Sequence, residues 1–294
     1  HGTVHWSEQY QKWIVPTLHP SYVLRTGCKE FPTVLFDITR AMGVARSGWT
    51  VSPVEYILHP QPADLLRFTE QYEAALAADP TTILAADIET AYSSEIDEEE
   101  LLEKDASWTI TRISFSYKSN TGITLPFTGQ YLSLVRRLLA GRGVKCFWNG
   151  NKFDVPRLRA ANIGVTGVII DGMDAWHVLR PDLPKGLGYV APFFTDLAPW
   201  KHLSNEQPEF YSCVDSDALI RIIGKLRFAM QADGTWNTFM KYWTALEPRL
   251  SRMSEIGIGV DNAIRVERET HYLNIRDNTA LLIQGHIPPE LKPR

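Results

Sequence analysis

Short apolar runs alternate with stretches of helical periodicity along this chain, and the alternation predicts a layered α/β domain over residues 81–232. The apolar run at residues 81–88 is typical of a strand that is buried on both faces. Further short strands are predicted at residues 108–117, 123–126, 144–148 and 168–170. Helices are predicted at residues 63–79, 131–139, 152–161, 172–179, 187–194, 208–230 and 235–256.

The region before this domain divides into two parts. Residues 1–50 contain the strand-like pieces Trp13–Val15 and Val34–Ile38, so we expect a small α/β segment there. Residues 51–80 are expected to form a linker followed by a helix, because prolines interrupt the first half and helical periodicity follows.

The region after the domain, residues 233–294, is expected to form a helical appendage. Its apolar residues recur at helical spacing and predict a face that packs on another part of the protein: Tyr242, Leu246, Leu250 and Met253. The sequence begins without Met and ends in a polar, proline-containing stretch, so we expect a segment of a longer polypeptide.

Composition is that of an ordinary globular protein, with 44% apolar and 22% charged residues among 294. No apolar run is long enough to cross a membrane and no secretory signal is visible, so we expect no membrane partner. The 3 cysteines are far apart, which favours a reducing compartment. The net charge of −4 does not exclude a nucleic-acid partner, because the acidic stretch Glu95–Asp105 carries much of the excess.

Two acids stand at the end of the predicted buried strand. Asp87 and Glu89 are two residues apart, so their side chains project from the same face while Ile88 faces the other. Two buried carboxylates repel each other, and no Arg or Lys follows within six residues to compensate them. A divalent cation such as Mg²⁺ or Mn²⁺ is therefore the predicted partner. The alternative is a strand end whose acids face water.

A second polar group follows the strand predicted at residues 144–148. Asn149 and Asp154 lie at the junction between this strand and the next helix, where ligands tend to bind in α/β sheets. The alternative is a simple helix cap formed by Asn149 or Asn151.

A third group lies early in the helix predicted at residues 208–230. Tyr211 and Asp215 are separated by one helical turn and share a face. Asp217 falls off that face and is predicted to be solvated. The alternative is an amphipathic helix with a partly buried tyrosine.

Taken in order, these three groups form a D-x-E, an N-x₃-F-D and a Y-x₃-D motif. The series resembles the exonuclease motifs of the DEDD superfamily, tyrosine subclass, as found in the proofreading domain of family A DNA polymerases. Three further segments are similar to that family: Asp171–Ala175 (with Gly172 where Thr is usual), Lys185–Leu187, and Leu250–Asp261 (with Ser254 where Glu is usual).

The resemblance implies an RNase H-like fold, with a mixed five-stranded sheet flanked by helices. It also implies that two Mg²⁺ or Mn²⁺ ions are bound by four acids, namely Asp87, Glu89, Asp154 and Asp215. Tyr211 would orient the attacking water, and the product would be a nucleoside monophosphate.

The implied substrate is DNA with a single-stranded or frayed 3′ end. Asn149 is the candidate for holding the terminal nucleotide, and Lys152, Arg157 and Arg159 are candidates for phosphate contacts, whereas Phe153 is expected in the core. Implied partners are a polymerase domain of the same parent chain and replication proteins. We expect the protein in the cytoplasm of a bacterial or phage-infected cell.

The first fifty residues carry a separate resemblance. Val15–Arg25 is similar to the P-T-x-H-P-S-x-x-L-R motif of iron–sulfur-type uracil-DNA glycosylases. The water-activating loop and the cluster cysteines of that family are missing. The segment is either the end of a glycosylase-like domain in a longer polymerase or a structural remnant that braces the exonuclease, and in both cases we expect no glycosylase activity. In that family the histidine of the motif, here His19, helps to bind the DNA backbone. The alternative for His19 is a purely structural role.

Two rival functions stay open at this point. The first is a 3′→5′ exoribonuclease of the RNase D type, against which the polymerase-like segment Leu250–Asp261 argues. The second is a non-catalytic DNA-binding module, against which the complete set of acids argues. No polymerase motif follows the exonuclease-like domain, so the chain is not expected to synthesise DNA.

Overall fold

The computed structural model describes residues 1–91 and 109–288. The acidic stretch Glu95–Asp105 and Trp108, at the start of one predicted strand, lie outside the described residues. The chain divides into two compact units, His1–Arg249 and Leu250–Arg294.

The strands of the first unit are short and mostly near their predicted positions. In chain order they are β1 (His5–Ser7), β2 (Lys12–Ile14), β3 (Glu55–Ile57), β4 (Ile83–Thr90), β5 (Ile110–Ser116), β6 (Thr121–Pro126), β7 (Val144–Phe147) and β8 (Ile169–Asp171).

The helices connect and cover these strands. They are α1 (Pro20–Arg25), α2 (Phe31–Ser47), α3 (Pro62–Ala78), α4 (Gly129–Ala140), α5 (Asp154–Ala160), α6 (Gly172–Leu179), α7 (Leu187–Phe194), α8 (Pro208–Ala232), α9 (Trp236–Thr238), α10 (Thr244–Ile256) and α11 (Asn262–His286). A 3₁₀ turn spans Lys201–Leu203, and a π-helical turn at Phe239–Trp243 joins α9 to α10.

Among the described residues, six strands form one mixed sheet, the central sheet, in the order β3-β6-β5-β4-β7-β8. β4 pairs antiparallel with β5 and parallel with β7, and β7 pairs parallel with β8. The α/β class and the helix-flanked mixed sheet are confirmed. The predicted count of five strands is wrong because β3, which lies within the predicted linker, pairs parallel with β6 at the sheet edge. A strand of three residues flanked by prolines gives too short a pattern to read from sequence.

The central sheet separates two apolar cores. Leu84, Ala86 and Ile88 of β4 point to the core shared with α3, α4 and α5, whereas Ala85 points to the core shared with α6, α7 and α8. Because side chains alternate along a strand, Asp87 and Glu89 face the side of Ala85, where α8 lies.

Helix α8 packs across β4, β5 and β6 on that face. A buried hydrogen bond fixes it to the sheet, since the Ser114 hydroxyl donates to the Ser212 carbonyl at 2.7 Å. Gly122 of β6 lies under α8, and a Cβ atom there would meet the Cys213 carbonyl oxygen at 3.5 Å. The helix backbone thus lies close to the strands, which brings its first turns beside the end of β4.

Asp217 of α8 is fully buried, so the prediction of a solvated side chain is wrong. Its Oδ2 accepts hydrogen bonds from the Tyr56 hydroxyl at 2.6 Å and from Arg221 at 2.6 Å, and its Oδ1 accepts from the Asn120 backbone at 2.7 Å. The carboxylate is therefore a junction between α8, β3 and the β5–β6 turn. The reason is that the central sheet extends to β3, whose Tyr56 covers this part of α8.

The N-terminal segment differs from its prediction at one point. Val34–Ile38 was predicted as strand-like but lies inside α2, so that prediction is wrong. Its apolar residues only partly face the core, and Leu35 and Ile38 are exposed. His19 caps α1, and its Nδ1 accepts a hydrogen bond from the Ser21 backbone at 3.2 Å.

The second unit, described from Leu250 to residue 288, contains the end of α10 and the whole of α11. Asp261 caps α11, because its Oδ1 accepts from the backbone of Ala263 at 3.0 Å and of Ile264 at 3.1 Å. Within residues 1–91 and 109–288, none of the helices combines the length and apolar character that crossing a membrane requires.

Candidate active site

Three carboxylates meet where β4 ends against α8. Asp87, Glu89 and Asp215 each offer an oxygen, and these oxygens all lie within 4.8 Å of one another. We call these three residues the acid cluster. Asp87 and Glu89 come from one strand face, as predicted, and Asp215 comes from the second turn of α8. Residues more than a hundred positions apart in sequence are thus brought to one point by the packing of α8 on the central sheet.

Tyr211 lies one helical turn before Asp215 and faces the same point. A lysine joins the two, since Lys201 Nζ lies 3.0 Å from the Tyr211 hydroxyl and 2.7 Å from Asp215 Oδ1. The same Oδ1 atom also accepts a hydrogen bond from the indole of the buried Trp200, at 2.7 Å. The phenol therefore stands beside the acid cluster, and Lys201 bridges them.

Burial and mutual repulsion raise the pKa of the acids in the absence of a metal. Desolvation, then the charges of Asp215 and Glu89, holds the pKa of Asp87 well above its usual range. Desolvation and the charge of Asp215 raise the pKa of Glu89 to about 7. Desolvation likewise raises the pKa of Asp215, although the ammonium of Lys201 opposes the shift. The cluster resists holding all its negative charge without a cation beside it.

Asp154, the fourth acid of the predicted metal site, lies outside the point where the other three meet, and metal binding by it stays a prediction. Its carboxylate is buried, and its Oδ1 accepts a hydrogen bond from the backbone N–H of Ile88 at 3.0 Å. Desolvation raises the pKa of Asp154 to about 8, against the effect of that hydrogen bond. Asp154 thus supports the residue between Asp87 and Glu89 from the first turn of α5.

The acid cluster fits a divalent metal. All its ligands are carboxylate oxygens, which Mg²⁺ and Mn²⁺ prefer. Among the described residues, the Oε1 atom of Glu89 is buried and has no hydrogen-bond partner, so it is available as a ligand. A bound cation would satisfy this atom and lower the repulsion among the three acids.

An open cleft of about 1030 Å³ leads to the acid cluster. Its walls combine acids with basic, aromatic and small residues, including Arg112, Trp148, Asn149, Phe153, Lys185 and Lys201. Arg112 is paired across the cleft wall with Glu209, at 2.6 Å. The cleft is wide and partly apolar, as a site for a nucleotide end requires.

A tight turn after β7 places Asn149 on the cleft wall. Asn149 has a positive φ of 63°, and a Cβ atom on Gly150 would lie 2.1 Å from Cβ of Phe147, so the turn requires glycine there. Asp171 holds the turn, because it accepts hydrogen bonds from the backbone N–H groups of Asn149 at 2.9 Å and Asn151 at 3.2 Å.

The three predicted basic contacts lie in different surroundings. Lys152 and Arg159 are exposed, and neither is among the described residues that line the cleft. Arg157 is buried, and its guanidinium lies 3.9 Å from the ring centre of Phe153 and donates to the Phe153 carbonyl at 3.0 Å. Phe153 lines the cleft and also packs against the core. Contact of these cations with phosphate stays a prediction.

Two residues of the site were missed by sequence reasoning. Trp200 and Lys201 belong to the connection between α7 and α8, where no motif or periodicity marks them. No Arg or Lys follows Asp87 and Glu89 within six residues, and the cation near them, Lys201, reaches the cluster through the tertiary fold.

No protein-family model matches the sequence, and no curated protein matches it either. Solved structures do resemble it. The POL domain of Pol1 from M. smegmatis, solved with DNA primer-template and dNTP, superposes with a TM-score of 0.53 at 14% identity, over 76% of this chain and 35% of that one.

Two nucleases also resemble the chain. A nuclease in its apo form has a TM-score of 0.49 at 17% identity, over 70% of this chain and 95% of that one. RNase D from Escherichia coli, an exoribonuclease involved in structured RNA processing, has a TM-score of 0.47 at 16% identity, over 71% of this chain and 52% of that one. At these identities the likeness concerns the fold, and the chemistry of this chain rests on its own site.

Proposed function

We propose that this chain is a metal-dependent 3′→5′ exonuclease that removes nucleoside monophosphates from single-stranded or frayed 3′ ends of DNA. One observation carries the proposal: the acid cluster converges from β4 and α8, with the phenol of Tyr211 beside it. Clustered carboxylates that are half-buried or buried, as here, hold divalent ions, and such ions are the usual catalysts of phosphodiester cleavage.

The chain's own residues have distinct roles in this proposal. Asp87, Glu89 and Asp215 hold the metal. Asp154, the fourth acid, fixes the backbone of Ile88 between two of them. Two Mg²⁺ or Mn²⁺ ions would ionise the attacking water and neutralise the charge that develops on the phosphate.

Tyr211 is the proposed positioning group for the attacking water. Desolvation and the charge of Asp215 raise the pKa of its phenol to about 12, so the hydroxyl keeps its proton and orients water by hydrogen bonding. Asn149, which lines the same cleft, is proposed to hold the terminal nucleotide. Lys152 and Arg157 complete the proposed substrate-binding set, Arg157 acting through the Phe153 ring that it supports.

The domain assignment belongs to the same proposal. Residues 81–232 form the exonuclease domain, and residues 233–294 correspond to the start of a polymerase thumb. Residues 1–50 are a uracil-DNA-glycosylase-like fragment, and residues 51–80 are a linker and helix. Contacts of the fragment with α7 support a bracing role for it. Thr33 and the Tyr189 hydroxyl lie 2.6 Å apart, and His1 lies 2.8 Å from the Tyr189 carbonyl.

DNA is preferred over RNA as the substrate because the segment Leu250–Asp261 resembles the connection to a polymerase thumb. The partners would then be a polymerase domain of the same parent chain and replication proteins. An exoribonuclease of the RNase D type is the rival, and it shares the metal chemistry. The two differ only in whether the cleft accepts a 2′-hydroxyl.

A digestion experiment tests both levels of the proposal. Matched DNA and RNA oligonucleotides, labelled at the 5′ end, are incubated with the protein and Mg²⁺ or Mn²⁺, and products are resolved by length and by chromatography. We expect stepwise shortening from the 3′ end, release of dNMP, faster cleavage of DNA, and complete inhibition by EDTA. Asp87→Ala is the inactive control, with its fold checked by circular dichroism.

The outcomes separate the rivals. Faster cleavage of RNA would replace the DNA exonuclease with an exoribonuclease. Full activity in EDTA, or in Asp87→Ala, would overturn the metal mechanism itself. Binding of DNA without cleavage would support a non-catalytic module.

A further inference from the structure

We propose that Lys201 is a positioning residue of this site, a built-in cation that holds the Tyr211 hydroxyl and Asp215 in place and competes with the divalent metal for the acid cluster. The inference rests on the proposed exonuclease function and goes beyond it, because it assigns a role to a residue outside the three motifs.

Geometry places the ammonium of Lys201 between the two groups. Its Nζ atom lies 2.7 Å from Asp215 Oδ1 and 3.0 Å from the Tyr211 hydroxyl, and 4.7 Å above the centre of the Tyr211 ring. A single ammonium group thus holds both the carboxylate of Asp215 and the phenol of Tyr211 in position, although the two residues are one helical turn apart.

The fold makes room for this lysine. A Cβ atom on Gly188 would lie 3.0 Å from Cγ of Lys201, so the glycine leaves space for the lysine stem as it crosses α7. The side chain nevertheless keeps 42% of its surface exposed, which leaves the ammonium open to the cleft. The stem of Lys201 is therefore packed against α7, and its ammonium group faces the open cleft.

Charge balance gives Lys201 its second role. The acid cluster and Asp154 concentrate negative charge in a buried place, and Arg112, the neighbouring cation, is paired with Glu209. Among the described residues, Lys201 is the cation that pairs with the cluster, through Asp215. A divalent ion at the same acids meets the repulsion of this ammonium, so Lys201 stabilises the metal-free site and weakens metal binding.

This pair of roles has opposite effects on two measurements. Loss of the charge in Lys201→Met removes the repulsion, so Mn²⁺ binds about tenfold more tightly or better. The same change releases the Tyr211 hydroxyl, so kcat falls about ten- to a hundredfold while KM changes little. A purely structural lysine would weaken both metal binding and catalysis together.

The experiment measures Mn²⁺ affinity by titration calorimetry on the full chain without substrate, and kcat and KM on a DNA oligonucleotide. Lys201→Met is compared with Lys201→Arg, which keeps the charge and should bind Mn²⁺ within about threefold of the wild type. Lys201→Gln, which keeps a donor for Asp215 without the charge, serves as the second neutral variant if Lys201→Met folds poorly. Lys185→Met is the matched control for metal affinity, since Lys185 lines the same cleft and donates to the Pro181 carbonyl at 3.2 Å.

Tighter Mn²⁺ binding in the neutral Lys201 variants, with slower cleavage and recovery in Lys201→Arg, supports the proposal. Unchanged or weaker Mn²⁺ binding in both neutral variants overturns it while leaving the exonuclease intact. Equal tightening in Lys185→Met also overturns it, because the effect would then belong to the general field of the cleft. If the wild type binds no Mn²⁺ and matches Asp87→Ala, the exonuclease function falls and the role of Lys201 falls with it.

Discussion

The carboxylate of Asp154 accepts a hydrogen bond from the backbone N–H of Ile88 at 3.0 Å, directly between the two acids of β4. Asp154 lies in the first turn of α5, and Ile88 turns its side chain to the opposite core. The contact therefore fixes the strand at the point from which Asp87 and Glu89 project. Of the four motif acids, three meet at one point, and the fourth, Asp154, supports the strand that carries two of them.

The first prediction follows from this separation. Asp154→Asn keeps an oxygen that can accept from Ile88, so we expect Mn²⁺ affinity to fall by no more than about tenfold, the scale of an outer support residue. Asp87→Asn removes a ligand of the acid cluster and should weaken Mn²⁺ binding by more than about a hundredfold. Titration calorimetry on both variants measures the difference. Equal losses would show that Asp154 binds the metal as directly as Asp87 does.

The second prediction concerns Asp171, whose oxygens accept from three backbone N–H groups, those of Asn149, Asn151 and Met173. Asp171→Ala leaves these donors without their partner and should cost about 1–3 kcal/mol of unfolding free energy. Asp171→Asn retains one oxygen and should cost less. Because Asn149 is the proposed nucleotide contact, KM for DNA should rise in both variants. Chemical denaturation and steady-state kinetics check the two effects, and an unchanged KM in a destabilised Asp171→Ala would remove Asn149 from the binding site.

Regular patterns in the sequence were sufficient for the main elements and for the acids. Helices α6 and α7 have the bounds that periodicity predicted, and the buried run of β4 carries Asp87 and Glu89 on one face as the two-residue spacing requires. These features depend on local geometry, which a short stretch of sequence specifies. The resemblance to known motifs then indicated that Asp215 would meet them.

Features that depend on tertiary packing escaped prediction. Asp217 was predicted to be solvated because helical periodicity describes only α8 itself and contains no information on Tyr56, which contacts Asp217 from β3. Lys201 carries no local signal, and its role is visible only when the loop before α8 folds back on Asp215. Asp217 forms a buried ion pair with Arg221, one helical turn further along α8, and this pair was not predicted from the sequence.

The third prediction concerns Gly172, the position where the motif that the sequence resembles usually has Thr. A Cβ atom at this position would lie 2.8 Å from Cε3 of Trp148 and 3.0 Å from Cδ1 of Leu219. Gly172→Thr, which introduces the residue usual in that motif, should therefore destabilise the protein by about 1–3 kcal/mol through overpacking.

A double-mutant cycle supplies the control for Gly172→Thr. Trp148→Leu removes the ring that the threonine would meet, so the combined variant should lose less unfolding free energy than the sum of the two single changes. Urea denaturation of the four proteins gives the coupling. If the losses of unfolding free energy simply add, the Trp148 ring is not the reason that position 172 needs glycine.

The fourth prediction concerns pH, and its sign follows from the raised pKa values. Glu89, with a pKa of about 7, and Asp154, with a pKa of about 8, retain protons in the metal-free folded protein that they lose in the unfolded chain at about pH 4. Between those limits the folded state binds more protons, so the free energy of unfolding of the metal-free protein should fall as pH rises from about 5 to 8.

Metal reverses this trend. Divalent ions bind the deprotonated acids, so Mn²⁺ affinity should rise over the same pH range and binding should release protons. Thermal unfolding with EDTA or Mn²⁺ at several pH values measures the first effect, and calorimetry in two buffers of different ionisation enthalpy counts the protons. Glu89→Gln and Asp154→Asn are the controls, and each should flatten the pH dependence of the metal-free protein. A metal-free protein that gains stability toward pH 8 would show that these carboxyls are already ionised in the folded state, and a cation within the protein would then have to balance the whole cluster.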